Sequence, residues 1–452
     1  MIKERNIPQH ILCDPETLLE LKQNETFFSG RIVKLFRIKK KILLQVISNG
    51  KKYKCRIEDT INNYGEIATS LQIGDVICGF SEETKTQFGE CEFLLTSIHI
   101  VAPCLLKEND TGLLPNNPFT NEKKKQFFHS YITSDDICSL RIIAQDRIMQ
   151  SLRNVLQENG YIECLTPVLQ KNFFGGNARP FVTHVVDSGE DVYLRITSEI
   201  ALKHYIAGGF NKVYELGYYF RNGNITSKSI VPYSAAEIYT AYSSEPENLA
   251  LIKKIFKSFV SSLEEILADR NIEINPCMKK DIKTISFSDY FRADTGLDFL
   301  TQKEQVKALL HEAFKYDIND ENYIKEIYKY FKTKIITKQI EPVIVSDLPA
   351  GISPLIQNKN EHFLYRSYLI VNGATLMESS VGKTNADELE AILARQKAEL
   401  NEKGRQEKRD FTAFLHAHYY GMPTTTGLFI GLDRVFPAIL EHENIGEYHM
   451  KM

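Results

Sequence analysis

LRITSEIALKHYIAGGFNKVYELGYYFRNGNITSKSIVPYSAAEIYTAY, residues Leu194 to Tyr242, decides how the rest of the chain is read. Glu199 to Ile206 spells a short helix, stopped by Gly208-Gly209. A strand follows from Lys212 to Arg221, in which Val213, Glu215 and Gly217 alternate with Tyr214, Leu216 and Tyr218. After a polar loop, Asn222 to Ser229, the chain returns as a strand from Tyr233 to Tyr242 that offers Glu237, Tyr239 and Thr240 to a cleft. An arginine closing one strand and a glutamate on the return strand make a two-walled pocket with one positive and one negative fixture. That suits a zwitterion beside a phosphate.

Outward from this hairpin, 452 residues exceed what one compact core holds, so two domains or more are expected. Apolar content of 43% and charged content of 25% are ordinary for a soluble globular protein, and no apolar run approaches the ~18–20 residues of a membrane span. The N-terminal MIKERNIPQHILCDPE has no apolar h-region, so the expected location is cytoplasmic. Eight cysteines are scattered without a C-x-x-C pair or clustered histidines, which points to reduced thiols rather than zinc or disulfides. With a net charge of -3, contact with nucleic acid needs a local basic patch.

Residues 1–105 read as a small β domain. Strand-like runs at Phe27 to Phe36, Ile42 to Ile47, Lys51 to Ile57, Asp75 to Phe80 and Cys91 to Val101, with a helical stretch at Tyr64 to Leu71, predict an OB-type barrel. Asn49-Gly50 marks a hairpin between the second and third runs. Ten basic residues lie between Arg31 and Arg56 with no acid among them. Lys52, Lys54 and Arg56 alternate with Tyr53, Cys55 and Ile57, so one face of the sheet is cationic. Such a face suits a nucleic-acid backbone, or serves as a lysine-protected edge. Residues 106–125 are a polar connector containing proline, and 126–452 form the larger domain. Its helices include one opening at Asp135 and ending at Asn159-Gly160, an amphipathic one from Glu247 to Arg270, and a charged one from Asn385 to Gln406. Asp317 to Thr333, charged and aromatic, reads as a peripheral insertion.

Five ordered blocks carry a resemblance. NGYIECLTPVL (Asn159 to Leu169), the Leu194–Tyr242 stretch and TGLFIGLDR (Thr426 to Arg434) resemble motifs 1, 2 and 3 of class II aminoacyl-tRNA synthetases. GGNARPFVTH (Gly175 to His184) and SDLPAGISPL (Ser346 to Leu355) add counterparts from the lysyl-tRNA synthetase branch. The resemblance implies an α+β fold, with an N-terminal OB barrel that grips tRNA and a catalytic antiparallel sheet flanked by helices. It implies a homodimer through Asn159–Leu169, and a ligase that activates lysine or an amine-bearing relative with ATP and passes it to an acceptor. Arg221 and Arg434 match the class-defining arginines, Arg221 for the α-phosphate and carboxylate and Arg434 for the γ-phosphate. Tyr233 matches the ring that stacks on adenine, Gly175 and Glu237 the α-amino site, and Glu199 and Tyr239 the readers of the side-chain ammonium. Arg31, Lys39, Lys52 and Lys54 become the expected tRNA contacts.

Departures from the family pattern are large. The adenine-reading glutamate is Gly223, and the loop's histidine is Ser229. Tyr368 and Thr375 stand at the two Mg2+-binding acids, Glu378 at the asparagine that meets the carboxylate, and Gly382 at the second lysine-selective glutamate. A negatively charged Glu378 would repel a substrate carboxylate, unless the substrate presents an amine or amide there. The expectation is a divergent paralogue that uses ATP, with Mg2+ implied but its carboxylate ligands unmatched. Three functions stay open: an aminoacyl ligase, a catalytically silent RNA-binding or regulatory protein, and an amide-forming ligase that does not use tRNA.

Overall fold

The computed structural model describes residues 5–86, 89–106, 129, 132, 136–172, 178–223, 230–268, 270, 272–402 and 410–440. Gly175, Ser229 and the expected connector apart from Leu106 lie outside these residues. The chain divides into two compact units, one running to Ile143 and the other beginning at Ala144. No helix among the described residues is long and apolar enough to cross a membrane.

In the first unit the strands are β1 (Phe27–Ile38), β2 (Lys41–Ser48), β3 (Lys51–Glu58), β4 (Val76–Lys85), β5 (Cys91–Leu95) and β6 (His99–Ala102). They order as β1-β2-β3-β5-β4-β6, and pairing of β1 with β4 closes five of them into a barrel. Ile32, Ile42, Val46, Ile57, Ile77 and Ile100 fill it from alternating positions. Asn49 and Gly50 both take positive φ, 46° and 75°, as a tight two-residue hairpin requires. The run from Cys91 to Val101, expected as one strand, is two. Ser97 breaks it, its hydroxyl accepting the Phe80 N–H at 2.9 Å in place of a ladder bond.

The basic run is uninterrupted in sequence but not in space. β3 pairs in parallel with β5, which brings Glu90 to Lys54 and sets Glu92 Oε2 3.0 Å from Arg56 Nε. Lys41 reaches Glu58 at 3.3 Å. Arg31 donates to the Gly74 carbonyl at 2.7 Å, Lys39 sits at the β1–β2 turn, and Lys52 is half-buried. Phe36, in register with Leu43, is exposed, so an aromatic ring stands on the barrel surface.

Strands of the second unit are β7 (Ile162–Glu163), β8 (Leu169–Gln170), β9 (Val182–Val185), β10 (Glu190–Leu194), β11 (Lys212–Tyr219), β12 (Tyr233–Ala241), β13 (Lys283–Ser286), β14 (Val343–Ser346), β15 (Arg366–Val371), β16 (Ala374–Val381) and β17 (Thr425–Gly431). Eight form one sheet, β13-β14-β15-β16-β17-β12-β11-β7, antiparallel except for its outermost pair at each end. The helix Glu245–Ala268 covers one face with Ile252, Ile255, Phe259 and Leu263, and its Asn248 donates to Ser379 Oγ at 2.7 Å and to the Gly427 carbonyl at 3.0 Å. Ser379 therefore points to the covered face, while its neighbours Glu378 and Ser380 face a cleft on the other.

Asp317–Thr333 is not peripheral. Helix Tyr323–Tyr330 and the turn Phe331–Ile335 bury Tyr323, Ile327 and Phe331 in one core with Phe287, Phe291, Phe299 and Tyr368. The apolar and aromatic positions at helical spacing outweigh the charges between them.

Val213 to Leu216 are buried on both faces of β11, and Arg195 lies across the face that carries Glu215 and Gly217. A Cβ on Gly217 would stand 2.2 Å from Arg195 Nη2. Gly217→Ala is expected to destabilise the protein by about 1–3 kcal/mol, as overpacking a filled interior does. An unchanged urea midpoint would contradict this packing.

Candidate active site

β11 and β12 form the floor of the site, in a register that sets Tyr219 against Tyr233 and Glu215 against Glu237. Arg221, expected to close the first strand, lies two residues beyond its end at Tyr219. Its guanidinium stands 5.3 Å from the centre of the Tyr233 ring and 6.0 Å from that of Phe429. Tyr219 stacks on Tyr233 at 5.8 Å, and the Tyr233 hydroxyl donates to the Ile196 carbonyl at 3.3 Å. Burial pushes the Tyr233 phenol up to about 12, so it stays neutral.

Two cavities meet here. One, of about 540 Å³, is lined by Glu199, Lys203, Glu237, Tyr239 and Arg366 among others. The second, of about 340 Å³, is lined by Gly223, Val231, Tyr233, Asp433 and Arg434. Ala178, Arg221, Glu378 and Phe429 line both. Asp433 ties motif 3 to β12 by accepting Ser234 N–H at 2.7 Å and Ser234 Oγ at 2.6 Å. That bond holds the following residue, Arg434, at the second cavity, where its Nη1 donates to the Thr375 carbonyl at 3.1 Å.

Glu237 is 4% exposed. Its oxygens accept from Thr197 Oγ1 at 2.7 and 2.8 Å, and no cation pairs with it among the described residues. Burial raises its carboxyl to about 7; Thr197 and Arg221 oppose the rise and Glu199 adds to it. An unfolded glutamate titrates near 4.5, so the native state holds this proton to higher pH. The group's contribution to stability is therefore full below that value and lost as pH rises to about 7. Without ligand, Glu237→Gln is expected to gain on wild type by on the order of 3 kcal/mol across that window, read from paired urea curves. A difference that ignores pH would contradict an unpaired buried carboxylate.

Glu378, expected to repel a substrate carboxylate, is paired with a cation. Arg366 Nη2 lies 2.8 Å from its Oε2, while Arg366 Nη1 donates to Ser353 Oγ. Burial alone would raise this carboxyl, but Arg366, with Lys332 and Arg221, holds it below the ordinary value. Glu199 is paired too, with Lys203 one helical turn on at 2.8 Å. Tyr239 lies over Gly427, where a Cβ would stand 3.0 Å from the ring.

Tyr368, at an expected metal position, is fully buried, its hydroxyl bonded to that of Tyr328 and its phenol held well above the usual range by burial. Thr375 offers only a neutral hydroxyl. Hard divalent cations take carboxylate oxygens, and the described residues contain no group of three or more acids, histidines or cysteines placed to hold one. Tyr368 and Thr375 therefore do not fit a Mg2+ seat.

Lys203, Arg366 and Lys332 were not singled out from sequence. Lys203 follows Glu199 by four residues on a helix, a signal that was available. Arg366 and Lys332 reach the site only through hairpin pairing and core packing.

The fold and this cleft define a class II synthetase domain. The family model of tRNA synthetases class II (D, K and N) matches residues 125–450, and the chain belongs to that family of ATP-dependent ligases. It is 30% identical over 406 residues to the lysine–tRNA ligase of Mycoplasma genitalium, which covers 87% of this chain and 80% of that relative. Similarity to the lysine–tRNA ligase of Mycoplasma capricolum is 29% over 448 residues, with 95% and 87% covered. To that of Saccharolobus solfataricus it is 26% over 431 residues, with 93% and 85% covered.

Proposed function

We propose that this chain joins the carboxylate of an α-amino acid, lysine or a relative of it, to the α-phosphate of ATP, and passes the aminoacyl group on to tRNA. The carboxylate oxygen attacks the α-phosphorus and pyrophosphate leaves, so no general base is needed. Positioning and charge neutralisation supply most of the rate. The observation that carries this reading is Arg221 at the junction of the two cavities, where negative charge would gather in the transition state. Glu237 would take the α-ammonium, which relieves a buried carboxylate that now lacks a cation. Tyr233 would hold adenine and Arg434 the distal phosphates.

The barrel would meet tRNA through Arg31, Lys39, Lys52 and Lys54, with Phe36 exposed near them in sequence. Exposed Ile162, Val168, Leu169 and above all Leu165, 84% exposed, support a homodimer through the first motif. A monomeric mass in solution would overturn that part.

Amino-acid-dependent ATP–pyrophosphate exchange over the standard amino acids and lysine derivatives tests the reading. Exchange with one compound is the expected result. Bound ATP with no exchange anywhere would overturn it in favour of a silent RNA-binding protein, which the loss of Tyr368 to the core favours.

A further inference from the structure

Two free thiols of the barrel unit meet: Cys78 Sγ donates to Cys13 Sγ at 3.6 Å, across 65 positions of sequence. Backbone bonds hold each in place. Cys78 lies on β4 between β1 and β6, opposite Ser29 and His99. Its neighbour Ile77 fills the barrel, so the Cys78 side chain faces outward. It is still only 1% exposed, and the helix Pro15–Leu21, just after Cys13, packs against β4. The Cys13 N–H donates to the Ile100 carbonyl of β6 at 3.0 Å, and Asp14 caps the helix by accepting Thr17 N–H at 2.8 Å. The fold itself therefore sets this contact. A disulfide requires the sulfurs to close to about 2.05 Å, an approach of roughly 1.5 Å.

The two thiols differ in access. Cys13 is half-buried and open to a small oxidant. Cys78 is buried, and burial, then its hydrogen bond to Cys13, pushes its thiol up to about 12, so it keeps its proton at neutral pH. We propose that Cys13 and Cys78 are an oxidation site, closed to a disulfide by a peroxide and reopened by a thiol, which fastens the segment before β1 to the barrel. The Cys13 thiolate attacks one peroxide oxygen, the O–O bond breaks, and the departing hydroxide takes up a proton and leaves as water. Cys13 is then a sulfenic acid. The Cys78 sulfur attacks the Cys13 sulfur, the S–O bond breaks, and the hydroxyl takes the Cys78 proton and leaves as a second water. Two thiols and one peroxide give one disulfide and two waters, with sulfur oxidised and peroxide oxygen reduced. A small thiol reverses the link by exchange. This site lies in the barrel unit and is independent of the adenylation reading.

Mass spectrometry of the full-length protein, treated with hydrogen peroxide, alkylated in denaturant and digested with trypsin, tests this. Cys13 and Cys78 fall in the tryptic peptides 6–22 and 57–85. These are expected to be found linked, two hydrogens lighter than their sum, in at least about tenfold excess over any other cysteine pairing, and to separate with dithiothreitol. Cys78→Ala is expected to abolish the link and leave Cys13 as a sulfenic acid that dimedone labels, whereas Cys13→Ala should leave Cys78 an unoxidised thiol. Exposed Cys91, which donates to Glu83 at 3.3 Å, is the internal comparison for simple exposure. Full alkylation of both Cys13 and Cys78 after peroxide, or a link from Cys13 to another cysteine in their place, overturns the inference. So does an equal yield of the link when the chain is first unfolded in urea.

Discussion

Arg221→Ala is expected to lower kcat/KM for amino-acid-dependent exchange by about 10³-fold, roughly 4 kcal/mol of transition-state stabilisation. Arg221 lies past the end of β11, is exposed in the absence of ligand, and forms part of both cavity walls. No ion pair ties it to the fold among the described residues, so its removal should leave the unfolding midpoint within about 0.5 kcal/mol of wild type. On the proposed adenylating reading, this guanidinium would carry positive charge to the reacting phosphate. Arg221→Lys keeps the charge but loses the planar fork, and an intermediate loss of about 10–100-fold is expected. An alanine variant within tenfold of wild type would remove Arg221 from the reaction.

The second large effect is on stability. Arg195 and Glu215 form an ion pair buried to 3% and 2% exposure. Arg195 also donates to Thr166 Oγ1 at 3.1 Å and the Tyr218 carbonyl at 3.1 Å, and lies 4.8 Å over the Tyr219 ring. Glu215 accepts Thr166 N–H at 3.1 Å and Thr166 Oγ1 at 2.6 Å. Arg195→Ala leaves a buried carboxylate with only Thr166 to satisfy it, and a loss of about 3–5 kcal/mol is expected in urea unfolding. The double change Arg195→Met with Glu215→Leu should be milder than the single one, since it removes the stranded charge along with its partner. A single-variant loss below about 1 kcal/mol would mean that water reaches Glu215.

What the sequence disclosed about the fold and site follows the range of the interactions. The Glu199 helix ending at Gly208 and the Asn49-Gly50 hairpin rest on local periodicity and turn chemistry, and both read directly. Strand pairing does not. The parallel contact of β3 with β5 sets Glu90 and Glu92 beside Lys54 and Arg56, and no feature of the Arg31–Arg56 run announces it. Arg366 meets Glu378 across the β15–β16 hairpin, which turns the expected repulsion into an ion pair. The Asp317–Thr333 segment reads as a peripheral insertion because its lysines and acids flank the buried rings. Its fate was set by Phe287, Phe299 and Tyr368, which are distant in sequence. Lys203 was within reach of a helical-spacing argument, since it follows its partner Glu199 by four residues.

The decisive measurement is a crystal structure of the protein with an aminoacyl-sulfamoyladenosine bound. The sulfamoyl group should lie within hydrogen-bonding reach of Arg221, with the adenine on Tyr233 and the α-ammonium on Glu237. A ligand seated elsewhere, or seated here with its linkage away from Arg221, would contradict the adenylating site described above.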